Sequence, residues 1–287
     1  MAQESPAAPW TCPSCNAEIS TAYCAACGEK PIAPKDLSLY GILKLTFHAF
    51  SPVDGKVVRS FRELIAHPGN LTAAFYRGLR QPFLGPFQIF ILTNVLFFFL
   101  QTFSELRIFT SSLDVRIERG LDLERAFGPA LVNARLEATG RTYEQYAPVF
   151  NQAVEVNAKS LIGLMVPLLA LSLPLLFWRN KRPLAVHVVF SLHFYAFFLL
   201  LLCVPIAVLA VEHMLGGTGT MSQPVDDATS ILLVIATLVY MYAAIGPAYG
   251  AARGAVRVAQ ACVLTFFVAG IFLLYRMALL PITLYTT

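Results

Sequence analysis

Cys12, Cys15, Cys24 and Cys27 form two CxxC pairs within the first tenth of a 287-residue chain. Four thiolates on two tight knuckles, about eight residues apart, are the donor set of a compact tetrahedral site, and zinc is the metal that set suits. One structural Zn2+ per chain is therefore the expected cofactor. Two other chemistries use the same residues: a CxxC redox pair, or disulfides in an exported protein. No strand-rich thioredoxin-like pattern surrounds Cys12-Pro13-Ser14-Cys15, and residues 1–11 lack the basic start and apolar core of a signal peptide. Gly28 follows the second pair, and Asn16 the first, where the turn behind a metal often needs positive φ. Cys203 and Cys262 stand alone in apolar runs, where cysteine usually acts as a small hydrophobe.

Outside the cysteines, candidate chemistry is sparse. Arg77 and Arg80 share a face if one helix carries both, and would then suit a lipid headgroup or phosphate. Glu212 and Arg276 fall at similar depth near the outer ends of their apolar runs, as an intramembrane or interfacial pair; the alternative for Arg276 is snorkelling. His187 and His193, six residues apart, point to opposite sides of a helix and make poor joint ligands. No HExxH, GxSxG or phosphate loop occurs, so no catalytic residue is assigned.

The elements that must position these residues are membrane helices. Hydrophobic residues make up 57% of the chain and charged residues 13%, far from soluble averages. The expected fold is an all-α polytopic membrane protein of about five transmembrane helices with a small N-terminal four-cysteine zinc ribbon. The apolar runs are 83–103, 160–178, 186–210, 229–250 and 260–283, each long enough to span as a helix. Four regions follow: a flexible N-terminus at 1–11, the ribbon at 12–30, amphipathic juxtamembrane helices at 37–82, and the bundle at 83–287 with an extracytoplasmic segment at 104–159.

Loop charge sets the orientation. Lys44, Lys56, Arg59, Arg62, Arg77 and Arg80 precede the first run, Arg179, Lys181 and Arg182 follow the second, and Arg253 and Arg257 follow the fourth. The loop after the third carries Glu212, Asp226 and Asp227 and no Lys or Arg. The positive-inside rule then puts the N-terminus and ribbon in the cytoplasm and the C-terminus outside. A reducing cytoplasm favours thiolate–metal over disulfide. The net charge of +4 reflects this topology. Residues 1–36 carry only Lys30 and Lys35 against Glu4, Glu18, Glu29 and Asp36, which argues against nucleic acid as a partner.

Between ribbon and bundle, Leu39, Tyr40, Leu43 and Phe47 recur near helical spacing, as do Val57, Val58, Phe61, Leu64 and Ile65. His67-Pro68-Gly69 predicts a break, Gly78 a helix end and Pro82 the start of the next helix. Membrane lipids are the expected contact of such helices. In 104–159, Leu121, Leu123, Phe127, Leu131 and Leu136 predict one amphipathic helix, and Tyr143, Tyr146, Val149 and Phe150 another. Two short helices packed on the outer face, or a binding lid, both fit this pattern.

Several of these residues also carry a resemblance. Cys12-x2-Cys15, Tyr23-Cys24-x2-Cys27-Gly28, His48, Asp54-Gly55, Leu64-Ile65, Pro68-Gly69, Tyr76-Arg77-Gly78-Leu79-Arg80, Pro82 and Pro86-Phe87 occur in that order. The pattern, over roughly residues 12–95, resembles the bacterial zinc-ribbon multi-pass membrane proteins of the domain of unknown function 3667. Glu29 stands where that family usually has Gln, Ser60 where it has Thr, and Leu79 where Lys is common. The resemblance implies a multi-pass membrane protein with an N-terminal ribbon and supplies no established activity; the expected location is the bacterial inner membrane. The leading functional expectation is a non-enzymatic adaptor, assembly or membrane-organisation factor, with the ribbon receiving a protein partner. A transporter or channel for a small or lipidic solute is the alternative, and a membrane enzyme the third.

Overall fold

The computed structural model describes residues 9–29, 55–102, 112–119, 122–214 and 223–287. The stripe expected over Leu39, Tyr40, Leu43 and Phe47 lies outside the described residues, as do His48 and Asp54. The polar N-terminal strip forms a two-stranded antiparallel ribbon, β1 (Trp10–Thr11) on β2 (Glu18–Ile19), with Trp10 opposite Ile19. The other described elements are helical.

Two short helices lead to the bundle. α1 (Lys56–Ala66) ends at His67, and α2 (Asn70–Arg77) runs from Gly69 to Gly78, both in the left-handed region. The expected break at His67-Pro68-Gly69 and stop at Gly78 are thus present. The buried stripe of α1 differs from expectation. It runs through Val57, Ser60, Phe61 and Leu64, while Val58 and Ile65 face outward. Ser60 enters the interior because its hydroxyl receives the Leu84 N–H at 2.8 Å.

α3 (Pro86–Gln101) starts later than the apolar run that encodes it. Pro82 sits in the preceding turn, and Pro86 takes the first helical position instead. Gly85 is the extended cap, and the Gln88 side chain accepts its N–H at 2.8 Å. At 16 residues α3 is about 24 Å long, short of the roughly 30 Å hydrocarbon core.

Four described helices are long and apolar enough to cross a membrane: Tyr143–Leu176, Leu184–Val211, Asp227–Tyr249 and Ala255–Thr286. They lie in α6 (Tyr143–Leu161) with α7 (Met165–Leu176), α8 (Leu184–Met214), α9 (Gln223–Tyr249) and α10 (Ala255–Thr286). Four membrane-length helices, a shorter apolar fifth and an N-terminal four-cysteine cluster define an all-α multi-pass membrane protein.

Two expectations for the segment between α3 and residue 159 change. α4 (Leu113–Arg119) and α5 (Asp122–Thr139) are present, but α5 does not bury Phe127 and Leu131. Its inner stripe is Glu124, Gly128 and Val132, with Leu136 half-buried. Glu124 goes inward to meet Arg116, and Gly128 faces Leu280 of α10. The second expected short helix does not stop near residue 159. Tyr146, Phe150, Val154 and Ala158 make one buried row at i, i+4 spacing. The chain stays helical past Gly163, so α6 runs through a single 3₁₀ turn at Ile162–Leu164 into α7.

α8 is the central helix, packed against α1, α2, α3, α7 and α9. It is apolar on every side, and from Ala185 to Ala196 only Val188 is not buried. Gly69 shows how closely the short helices dock. A Cβ there would meet the Ala244 carbonyl oxygen at 2.1 Å, and φ is +83°. Gly69→Ala is expected to destabilise the detergent-solubilised protein by about 2 kcal/mol or more, from strain and overpacking together. Gly163→Ala, which meets nothing within 4 Å, serves as the control in the same thermal unfolding measurement.

Candidate metal centre

The four cysteines converge from two matching knuckles. In the first, the Asn16 N–H donates to the Cys12 carbonyl and the Cys12 N–H to the Ala17 carbonyl. In the second, the Gly28 N–H donates to Cys24 and the Cys24 N–H to the Glu29 carbonyl. Asn16 at φ 59° and Gly28 at φ 73° supply the positive φ each turn requires. Cys12 Sγ lies 3.4 Å from Cys27 Sγ, and Cys15 Sγ lies 3.4 Å from Cys24 Sγ. All four sulfurs fall within 4.8 Å of one another, close enough to hold one metal ion. A tetrahedral thiolate site with metal–sulfur bonds near 2.3 Å has sulfurs about 3.8 Å apart.

The cluster is electrostatically uneven before metal binds. Burial opposes the Cys24 thiolate, but the backbone N–H groups of Cys27 and Ala26, with the neighbouring thiols, outweigh it and lower its pKa to about 7. At Cys27 the Glu29 N–H favours the thiolate, yet burial and bonds from three other thiols push the pKa up to about 12. A metal must therefore displace protons, so acid weakens its retention.

Glu29, read from the sequence as one of the ribbon's acids and as a departure from Gln, proves central to the site. It is buried, and its Oε2 accepts from Ser14 Oγ at 2.8 Å and from the N–H groups of Arg80 and Gln81, each at 3.2 Å. Gln81 Nε2 also donates to the Gly28 carbonyl at 3.3 Å. These contacts seat the ribbon on the turn between α2 and α3.

Arg77 and Arg80 do not share a helix face, because α2 ends at Gly78. Arg77 is exposed, with Nε on the Ala73 carbonyl, while the Arg80 guanidinium lies 5.0 Å over the Phe75 ring. Arg182, from the turn before α8, covers Tyr76 at 4.0 Å. The Glu212 side chain lies outside the described residues. Arg276 Nε is 3.9 Å from Glu124 Oε2, and Glu124 Oε1 accepts from Arg116 Nη1 at 2.7 Å. Arg116 also donates to the Arg276 carbonyl at 3.2 Å. This buried ion group ties α4 and α5 to α10. Arg116 and Glu124 are eight residues apart but on separate helices, and Arg276 is 160 residues from Arg116, so no spacing rule links the three.

The two histidines go to separate structural bonds. His187 Nδ1 meets the Tyr249 hydroxyl, and His193 Nδ1 meets Thr72 Oγ1, both at 2.9 Å. Arg257, read from sequence as a loop charge, is buried and donates to the Tyr242 and Ala243 carbonyls at 2.6 and 2.9 Å.

The fold and site together describe a multi-pass membrane protein with four cysteines close enough to hold a metal ion. The family described as "Protein of unknown function (DUF3667)" matches residues 54–98, which bears out the resemblance read from the sequence. The matched stretch comprises α1, α2 and most of α3 and leaves the cysteines outside it. No curated protein and no solved structure matches the chain.

Cys24→Ser is expected to reduce bound metal from one ion per chain to near none by elemental analysis, and to make the ribbon sensitive to protease. Retained metal with an intact ribbon contradicts the assignment. Arg116→Leu, which leaves Glu124 buried without its close partner, is expected to cost about 3–5 kcal/mol in unfolding free energy.

Proposed function

We propose that the four thiolates hold one structural Zn2+ per chain and that the protein is a non-enzymatic adaptor, assembly or membrane-organisation factor of the bacterial inner membrane. The sulfur-only donor set and the sulfur spacings support zinc. The ribbon is cytoplasmic and the C-terminus extracytoplasmic in this reading. Its support is that the basic turns gather at the ribbon's end of the bundle. Arg182 stacks on Tyr76 of α2, and Asn180 donates to the Tyr249 carbonyl beside the turn that carries Arg253.

The observation that carries the adaptor reading is how the polar side chains are used. Inside the bundle His187, His193, Thr72 and Arg257 are engaged in bonds that hold helices together. On the ribbon, the second knuckle presents exposed Tyr23, Ala25 and Ala26. An exposed aromatic beside small residues on a metal-rigidified turn suits a protein partner. Exposed Arg77 beside the bundle suits anionic lipid headgroups.

Chemical crosslinking in native membranes with mass spectrometry tests the reading. Partners crosslinked to the ribbon of the wild type are expected to disappear with Cys24→Ser and to weaken with Tyr23→Ala. Recovery of the same partners from all three proteins overturns the adaptor reading. Elemental analysis that finds a metal other than zinc overturns the cofactor.

A further inference from the structure

We propose that Glu29 is a metal-dependent latch, through which occupancy of the four-cysteine site controls the turn where the chain passes from α2 into α3. The proposal rests on the metal reading above and extends it to regulation.

The three donors to Glu29 Oε2 come from separate pieces of chain. Ser14 belongs to the first knuckle, and Arg80 and Gln81 belong to the α2–α3 turn. Glu29 itself closes the second knuckle, since its carbonyl accepts the Cys24 N–H at 2.7 Å. A carboxylate at 2% exposure needs those donors, because burying it otherwise costs several kcal/mol. The knuckles have little else to hold them together. Among the described ribbon residues only Cys12, Cys24 and Glu29 are buried, and the strands pair over two residues each. The metal is therefore what keeps Ser14 and Glu29 within bonding distance. Once it leaves, the thiols separate, Ser14 parts from Glu29, and the carboxylate gains access to water. The Arg80 and Gln81 amides then lose their acceptor.

The turn they belong to is a joint. Arg80 covers Phe75, which packs with Ala185 and Val189 of α8. Leu84, three residues after Gln81, donates its N–H to Ser60 of α1. Gly85 then caps α3. A change at Arg80–Gln81 thus bears on α1, α2, α3 and the central helix together. The coupling runs through atoms in direct contact, from the metal ligands to the base of the bundle.

Hydrogen–deuterium exchange on the full-length protein in detergent, with metal content measured on the same samples, tests the latch. In metal-loaded wild type the Arg80 and Gln81 amides are expected to exchange slowly. A chelator, or Cys27→Ser, is expected to speed them about ten-fold or more, the loss of a charge-assisted bond. Glu29→Ala is expected to give the same acceleration with metal retained, and chelating that variant to add nothing at these amides. Glu29→Gln keeps an acceptor oxygen, so it is expected to retain metal and show a smaller acceleration that still responds to chelator. It also covers the case in which Glu29→Ala loses the ribbon fold. Exchange at Arg80 and Gln81 that is indifferent to metal, or unchanged in both Glu29 variants, overturns the latch. A wild-type protein without bound metal overturns the underlying metal reading instead, and the elemental analysis separates the two failures.

Discussion

Pro247 has no N–H, so the carbonyl of Ala243 one turn earlier loses its helical donor inside an apolar bundle. Arg257 supplies the replacement from Nη2 at 2.9 Å. The same guanidinium donates from Nε to the Tyr242 carbonyl and lies 4.5 Å over the Tyr242 ring. Gly246 makes room for it, since a Cβ there would meet the guanidinium within 2.4–2.6 Å. In hydrocarbon an unpaired backbone group costs several kcal/mol, so a proline in a spanning helix demands a donor nearby. That requirement, a protein donor for a backbone carbonyl left without its helical one, recurs where the other elements meet the bundle.

The juxtamembrane helices obey the same rule where they meet the bundle. Tyr240 of α9 donates its hydroxyl to the Leu64 carbonyl near the end of α1, and stacks on Phe197 at 3.6 Å. Thr72 of α2 meets His193 of α8, and Ser60 of α1 receives the Leu84 N–H. The first two bonds join a short helix to a spanning one and the third joins α1 to the turn before α3, so α1 and α2 are built into the base of the bundle. The residues matched by the family model, 54–98, coincide with this joint. In this chain the matched stretch is a packing unit in which Gly69 rests on the Ala244 carbonyl.

The ribbon extends that unit. A strip of about twenty residues with two-residue strands cannot bury enough apolar surface to fold alone, so a metal and a docking site must contribute. The four sulfurs lie close enough together to hold the first, and Glu29 provides the second. At the other end of the bundle, Arg116 and Glu124 fix the outer helices to α10 by charge rather than by the apolar face that periodicity favoured.

By itself the sequence determined the elements whose signals are local. Spacing marked the four ligands, and Asn16 and Gly28 marked the positive-φ turns that aim them. Run length marked the apolar helices, and His67-Pro68-Gly69 and Gly78 marked the helix ends. These features depend on backbone geometry within a few residues. Tertiary structure decided which face of each helix is buried and which polar groups meet. α5 turned Glu124 inward and Phe127 outward because Arg116 offered a partner that no periodicity encodes. Arg276 is near Glu124, and Arg257 is a buried clamp, because depth and loop position do not reveal who sits opposite. The docking of Glu29 on residues fifty positions away is of the same kind. A buried charge takes its partner from whatever the fold brings within about 3 Å, and that neighbour is fixed only when the helices have packed.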